Sequence, residues 1–266
     1  MCSIHPMKLI VDEITGGSIE ARSLLRPNDS PHTYTPTPAD AVAAQHALTL
    51  VYVSPELDGW IAQIGSPHRI AAMGLLPESL RLKMPEDVLM EEDGHGHGHI
   101  DPHFWPDPAA VMEVAMPLAL ELGRLLPEKA TAFADNAQAL EGKLRALDAE
   151  IKAQFAGIAH RKVAVFHPSW LYFLRRYGLE VTAIIEPSPG KELSPRSMEA
   201  IINRLKETQT RILLTEPQLA RGPVQAVADA AGVPVVEIDP LGGSIGATMY
   251  EDLMRKNAAV LQKALS

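Results

Sequence analysis

Ten histidines and a single cysteine set the ligand chemistry open to this 266-residue chain. Four of the histidines fall within nine residues, in Glu91-Glu92-Asp93-Gly94-His95-Gly96-His97-Gly98-His99-Ile100-Asp101-Pro102-His103-Phe104-Trp105-Pro106-Asp107-Pro108. Neutral imidazole is the commonest transition-metal ligand, and zinc takes nitrogen readily. His95, His97 and His99 alternate with glycine, so the tract has no apolar side chains for a core and a loose backbone. It reads as a flexible metal-collecting loop, 91–99, running into a stiffer ligand position at His103. With Cys2 alone there is neither an intrachain disulfide nor a thiolate zinc site, which leaves imidazole and carboxylate as ligands.

Three more residues stand in settings like that of His103, each followed by proline or a proline-rich turn. They are His32 in Pro31-His32-Thr33-Tyr34-Thr35-Pro36-Thr37-Pro38, His167 in Phe166-His167-Pro168-Ser169-Trp170, and Asp239 in Ile238-Asp239-Pro240-Leu241-Gly242. All four are expected at or just beyond strand ends, where open α/β sheets bind their ligands. Three imidazoles and one carboxylate make a tetrahedral nitrogen/oxygen set suited to zinc. Glu186 and Glu216 end strands toward the same cleft and read as acceptors for the second ring N–H of a ligating histidine, or else as surface caps. Tyr34, Trp105 and Trp170 read as walls of the site, and His5 as a structural residue.

The elements that must position these residues alternate. Lys8–Gly16 and Ala39–Ala47 read as helices, the second capped by Thr37 with Pro38 at its first position. Ile19–Leu25, Leu48–Val53 and Arg69–Leu75 read as strands. Ala109–Leu126 and Lys129–Phe155 carry apolar residues at helical spacing. Beyond them come strands at Lys162–Phe166, Glu180–Ile185, Ile212–Thr215 and Val235–Ile238, separated by helices at Pro195–Thr208 and Pro223–Ala231 and closed by Thr248–Leu265. This rhythm predicts an α/β fold: two (β/α) lobes with parallel sheets joined by one long helix. The expected divisions are an N-terminal lobe at 1–127, a linker helix at 128–157 and a C-terminal lobe at 158–266.

Composition narrows the function classes. A net charge of −9 with no basic run argues against a nucleic-acid partner and suits the handling of cations. No apolar run approaches membrane-spanning length. Met1-Cys2-Ser3-Ile4-His5-Pro6 lacks the basic-then-apolar layout of a secretory signal. The expectation is therefore a cytoplasmic protein or a chain given without its export segment.

Taken together, the four proline-flanked segments resemble the metal-binding signatures of the periplasmic zinc/manganese ABC-transporter substrate-binding proteins, the ZnuA-like group. The resemblance runs in order along almost the whole chain and includes the His-rich loop ahead of the second ligand. It implies two lobes joined by a rigid helix, with the metal held between them by His32, His103, His167 and Asp239. It also implies a periplasmic or extracytoplasmic monomer that is not an enzyme and that passes its metal to an ABC permease and its ATPase. Manganese-selective relatives generally present a carboxylate at the third position; His167 there favours zinc over manganese. His95, His97 and His99 would then capture zinc weakly at the entrance. Two other readings remain: a zinc hydrolase with an open three-histidine site and Glu186 or Glu216 as base, and a metal-storing chaperone or adhesin on the same fold.

Overall fold

Short β-branched runs separated by helices can pair in parallel only if helical crossovers cover the sheet, and that is how the chain folds. A computed structural model describes residues 1–66, 68–85, 100–186 and 194–266. The chain forms two units: Met1–Arg81, Asp107–Glu150 and Leu241–Leu253 make one, and Leu82–Pro106, Ile151–Pro240 and Met254–Ser266 the other.

The first unit holds helices α1 (His5–Thr15) and α2 (Pro38–Gln45), strand β1 (Leu50–Tyr52), helix α3 (Pro55–Asp58), strand β2 (Arg69–Ala71), helices α4 (Ala72–Leu75) and α5 (Pro108–Leu125), and residues 130–150 of α6 (Ala130–Ala156). β1 and β2 are parallel, with Leu50 opposite Arg69 and Tyr52 opposite Ala71. The buried Cys2 bridges in parallel to both Val51 and Ser23, so the N-terminus supplies the middle row of this sheet. That row is a single bridge long, which is why Ile19–Leu25 pairs only at Ser23 instead of forming the expected strand. The strand expected over Arg69–Leu75 also stops early, at Ala71. Ala72 and Gly74 have little β preference, and the chain turns there into α4, with the Met73 N–H on the Val53 carbonyl at 3.0 Å.

Helix ends in this unit follow their chemistry. Thr37 and Asp40 form a reciprocal capping box on α2, with Pro38 at its first position. α1 ends on Gly16 at φ 59°, and a Cβ there would stand 2.8 Å from Asn136 Nδ2. That close approach matters, because the Asn136 amide on α6 donates to the Ile14 carbonyl at 3.0 Å and satisfies the end of α1.

The second unit carries β3 (Lys162–Val165), α7 (Leu171–Arg176), β4 (Glu180–Ile184), α8 (Pro195–Glu207), β5 (Ile212–Thr215), α9 (Arg221–Ala231), β6 (Val235–Glu237) and most of α10 (Tyr250–Leu265). Its four strands are all parallel in the order β4-β3-β5-β6. Ile201 and Leu205 of α8 and Val224 and Val227 of α9 pack with Ala164, Ala183 and Leu213 of the sheet. The chain leaves β3 toward β4 and returns to place β5 on β3's other side. The carboxyl ends of β3 and β5 therefore flank the switch point where such sheets form a crevice. No described helix is long and apolar enough to cross a membrane.

Candidate metal centre

His167 follows β3 and Asp239 follows β6, in keeping with the strand-end expectation. His32 and His103 depart from it, since no described regular strand leads into either. His103 follows Ile100, whose sheet pairing among the described residues is an isolated antiparallel bridge to Lys83, and His103 is fixed by other means. Asp101, fully buried, accepts the His103 backbone N–H at 3.0 Å and its Nδ1–H at 2.7 Å. Asp101 is itself tied down: its N–H reaches the Leu82 carbonyl at 2.8 Å, and the Tyr172 hydroxyl donates to its carbonyl at 3.3 Å while accepting the Leu82 N–H at 2.8 Å. Trp105 stands 5.3 Å from the His103 ring, and its indole N–H donates to the Pro240 carbonyl at 2.8 Å.

His167 Nδ1 lies 3.2 Å from the Glu186 main-chain oxygen. A carbonyl only accepts, so Nδ1 carries the proton there, as it does on His103 opposite the Asp101 carboxylate. Glu186 thus meets this ring through its backbone. Both imidazoles are left with lone pairs on Nε2, and those two atoms are 3.3 Å apart in a site from which both side chains are almost excluded from water. Facing lone pairs repel until a cation or a further proton stands between them. Two nitrogens on one tetrahedral zinc, at about 2.0–2.1 Å each, are separated by roughly 3.3–3.4 Å. The pair has the spacing of one edge of a zinc site.

Asp239 is supplied to the same unit by β6. Asn257 on α10 clamps its backbone both ways, accepting the N–H at 2.7 Å and donating to the carbonyl at 2.8 Å. Gln218 Nε2 donates to Asp239 Oδ1 at 3.0 Å. Glu216, at the end of β5, is buried and accepts the Ser169 hydroxyl. Burial pushes its carboxyl up to about 8, with the Ser169 hydrogen bond opposing and the charge of Asp239 adding to the rise.

His32 lies half-buried in the first unit, on a turn fastened from both sides. Trp60 Nε1 donates to the Pro31 carbonyl at 2.9 Å, and the Tyr34 ring meets Trp60 edge-on at 4.8 Å. The Tyr34 hydroxyl donates at 2.7 Å to Asp40, and burial with that anion pushes Tyr34 up to about 12. His5 donates to the Ala247 carbonyl at 2.8 Å, a structural bond. His95, His97 and His99 lie outside the described residues. Asp101, Gln218 and Asn257 were not among the residues singled out by sequence. Asp101 had a legible signal in its position two residues before His103, whereas Gln218 and Asn257 reach Asp239 from 21 and 18 residues away with no local mark.

Residues 1–264 match the family described as zinc-uptake complex component A, periplasmic, or ZnuA. The chain belongs to the ZnuA family. Its members are periplasmic metal-binding components of uptake systems and not enzymes. Among curated proteins, the high-affinity zinc uptake system protein ZnuA of Brucella suis is 28% identical, with 99% of this chain and 90% of that one aligned. Among solved structures, a ZnuA deletion mutant with zinc bound superposes with a TM-score of 0.83 at 27% identity, over 100% of this chain and 96% of the other. FpvC of Pseudomonas aeruginosa in complex with Mn2+ gives 0.84 at 26% identity, over 99% and 96%. The α/β fold with parallel sheets and a long helix is thus the family's fold.

Proposed function

We propose that this chain is the zinc-capturing component of an ABC importer, binding Zn2+ through His32, His103, His167 and Asp239 and delivering it to a membrane permease driven by an ATPase. The observation that carries the reading is the buried His103–His167 pair, with both Nδ1 protons committed and Nε2 atoms at 3.3 Å. In this reading Asp239 would add the negative charge a divalent cation needs, and His32 is the remaining ligand of the proposed set. Four protein ligands close a zinc coordination sphere and leave no place for a reactive water. That favours capture and release over hydrolysis, in line with the family.

Three nitrogens among four donors favour zinc over manganese. The Mn2+ complex of FpvC shows that a relative of this fold takes a harder ion, so selectivity rests on the donors each chain supplies. His95, His97 and His99 would hold zinc weakly outside the main site, in the periplasm.

Delivery is tested in cells. Removing the gene from its host should lower zinc accumulation in zinc-limited medium, and the wild-type chain should restore it while His103→Ala does not. Unchanged accumulation in the deletion strain under zinc limitation would refute an importing role.

A further inference from the structure

A carboxylate is the one ligand in this set that can change how many donor atoms it offers, because imidazole gives a single nitrogen. Zinc in closed sites takes four ligands, whereas manganese is an oxygen-preferring ion of octahedral habit. Widening the protein's coordination of a larger ion would require both oxygens of Asp239. One of them is already engaged: Gln218 Nε2 donates to Oδ1 at 3.0 Å. Asn257 holds the Asp239 backbone by its N–H and its carbonyl together, and the Gln218 amide is the hydrogen bond that orients the carboxylate on it. The other carboxyl in this part of the unit is similarly engaged, with the Ser169 hydroxyl on Glu216 Oε1.

We propose that Gln218 is a specificity-determining residue, which by occupying Oδ1 makes Asp239 a one-oxygen ligand and so holds the coordination number at the value zinc prefers. The proposal rests on the ligand set given above. The amide N–H places its positive end on Oδ1, and a cation sharing that oxygen meets this charge as well as losing donor strength to the hydrogen bond. Zinc takes one oxygen and loses nothing. Manganese, asking for more oxygen donors, is penalised. The turn Glu216-Pro217-Gln218 that carries the residue follows β5 directly, so the amide is positioned by the sheet itself.

The test compares wild type, Gln218→Leu and Asp239→Ala, each stripped of metal, for Zn2+ and Mn2+ affinity, with the visible spectrum of bound Co2+ as a geometric readout. A hydrogen bond to a charged group is worth enough to shift the zinc-to-manganese affinity ratio about tenfold or more. Gln218→Leu should lower that ratio by about tenfold, mainly through tighter manganese binding, and weaken the intense tetrahedral Co2+ bands. An unchanged ratio with an unchanged Co2+ spectrum overturns the proposal, whether or not zinc binds more weakly. Asp239→Ala separates the two levels: if it leaves zinc binding intact, the ligand assignment fails; if it weakens zinc while Gln218→Leu alters neither ratio nor spectrum, only the role of Gln218 fails. Should the leucine variant not fold, Gln218→Ala carries the same readings.

Discussion

A histidine ligand needs one nitrogen bare and the other proton held, and the chain meets that need differently at its two buried imidazoles. His103 gives its proton to the carboxylate of Asp101, and His167 to a neutral carbonyl. His103 is thus held by an anion and His167 by a neutral dipole. Asp101→Asn should therefore weaken zinc binding by about 10–100-fold with the fold intact, measured by competition with a chelating dye. Equal affinity in the variant would show that Asp101 only braces the turn. Asp58 is the comparable residue for stability. It is buried, accepts the N–H groups of Val53 and Ser54 at 2.9 Å each, and its carboxyl is raised by burial. Asp58→Ala should cost about 2–4 kcal/mol by urea unfolding, from two orphaned donors and a cavity. At this scale the sequence was half legible: proline-flanked histidines announce themselves, while a buried carboxylate and its distant amide partners look like any other polar residues.

Elements tie these residues together. Glu13 on α1 meets Lys143 of α6 at 2.9 Å, and Glu251 of α10 is its other neighbour. Burial raises the Glu13 carboxyl, the Lys143 hydrogen bond opposes, and Glu251 raises it further. Its folded value therefore lies above the ordinary 4.5, and the folded state keeps a proton that the unfolded chain gives up. The stability this group contributes is full below 4.5 and lost as pH rises above it. Glu13→Gln should flatten the dependence of unfolding free energy on pH from 4.5 upward in the metal-free protein. A slope equal to wild type would assign the dependence elsewhere. The segment Gly94–His99 makes a separate prediction: its deletion should leave the tight zinc site unchanged and remove only weaker binding, counted by titration. Loss of the tight site would contradict that division. Helices and the strands β3 to β6 were readable because their apolar spacing is local. The order β4-β3-β5-β6 was not, since periodicity says which face is buried and nothing about which strand lies beside it. The short pairing of Ile19–Leu25 depended on a partner row one bridge long.

Over the whole molecule, each unit is assembled from three separate stretches of chain. Leu82 and Trp105 are held by Tyr172 and Pro240, 90 and 135 residues away. No local pattern encodes such closures, although the order of the proline-flanked histidine and aspartate segments along the chain does point to the family. The acidic balance of −9 suits a cation carrier and fixes neither the metal nor its ligands. The most direct measurement is a calorimetric titration of the metal-stripped protein with zinc and with manganese, repeated on His167→Ala. One tight zinc site, much weaker manganese binding and collapse of the zinc site in the variant are expected. Tight manganese binding, or a variant that binds zinc as wild type does, would contradict the assignment of the His103–His167 pair as the centre of a zinc site.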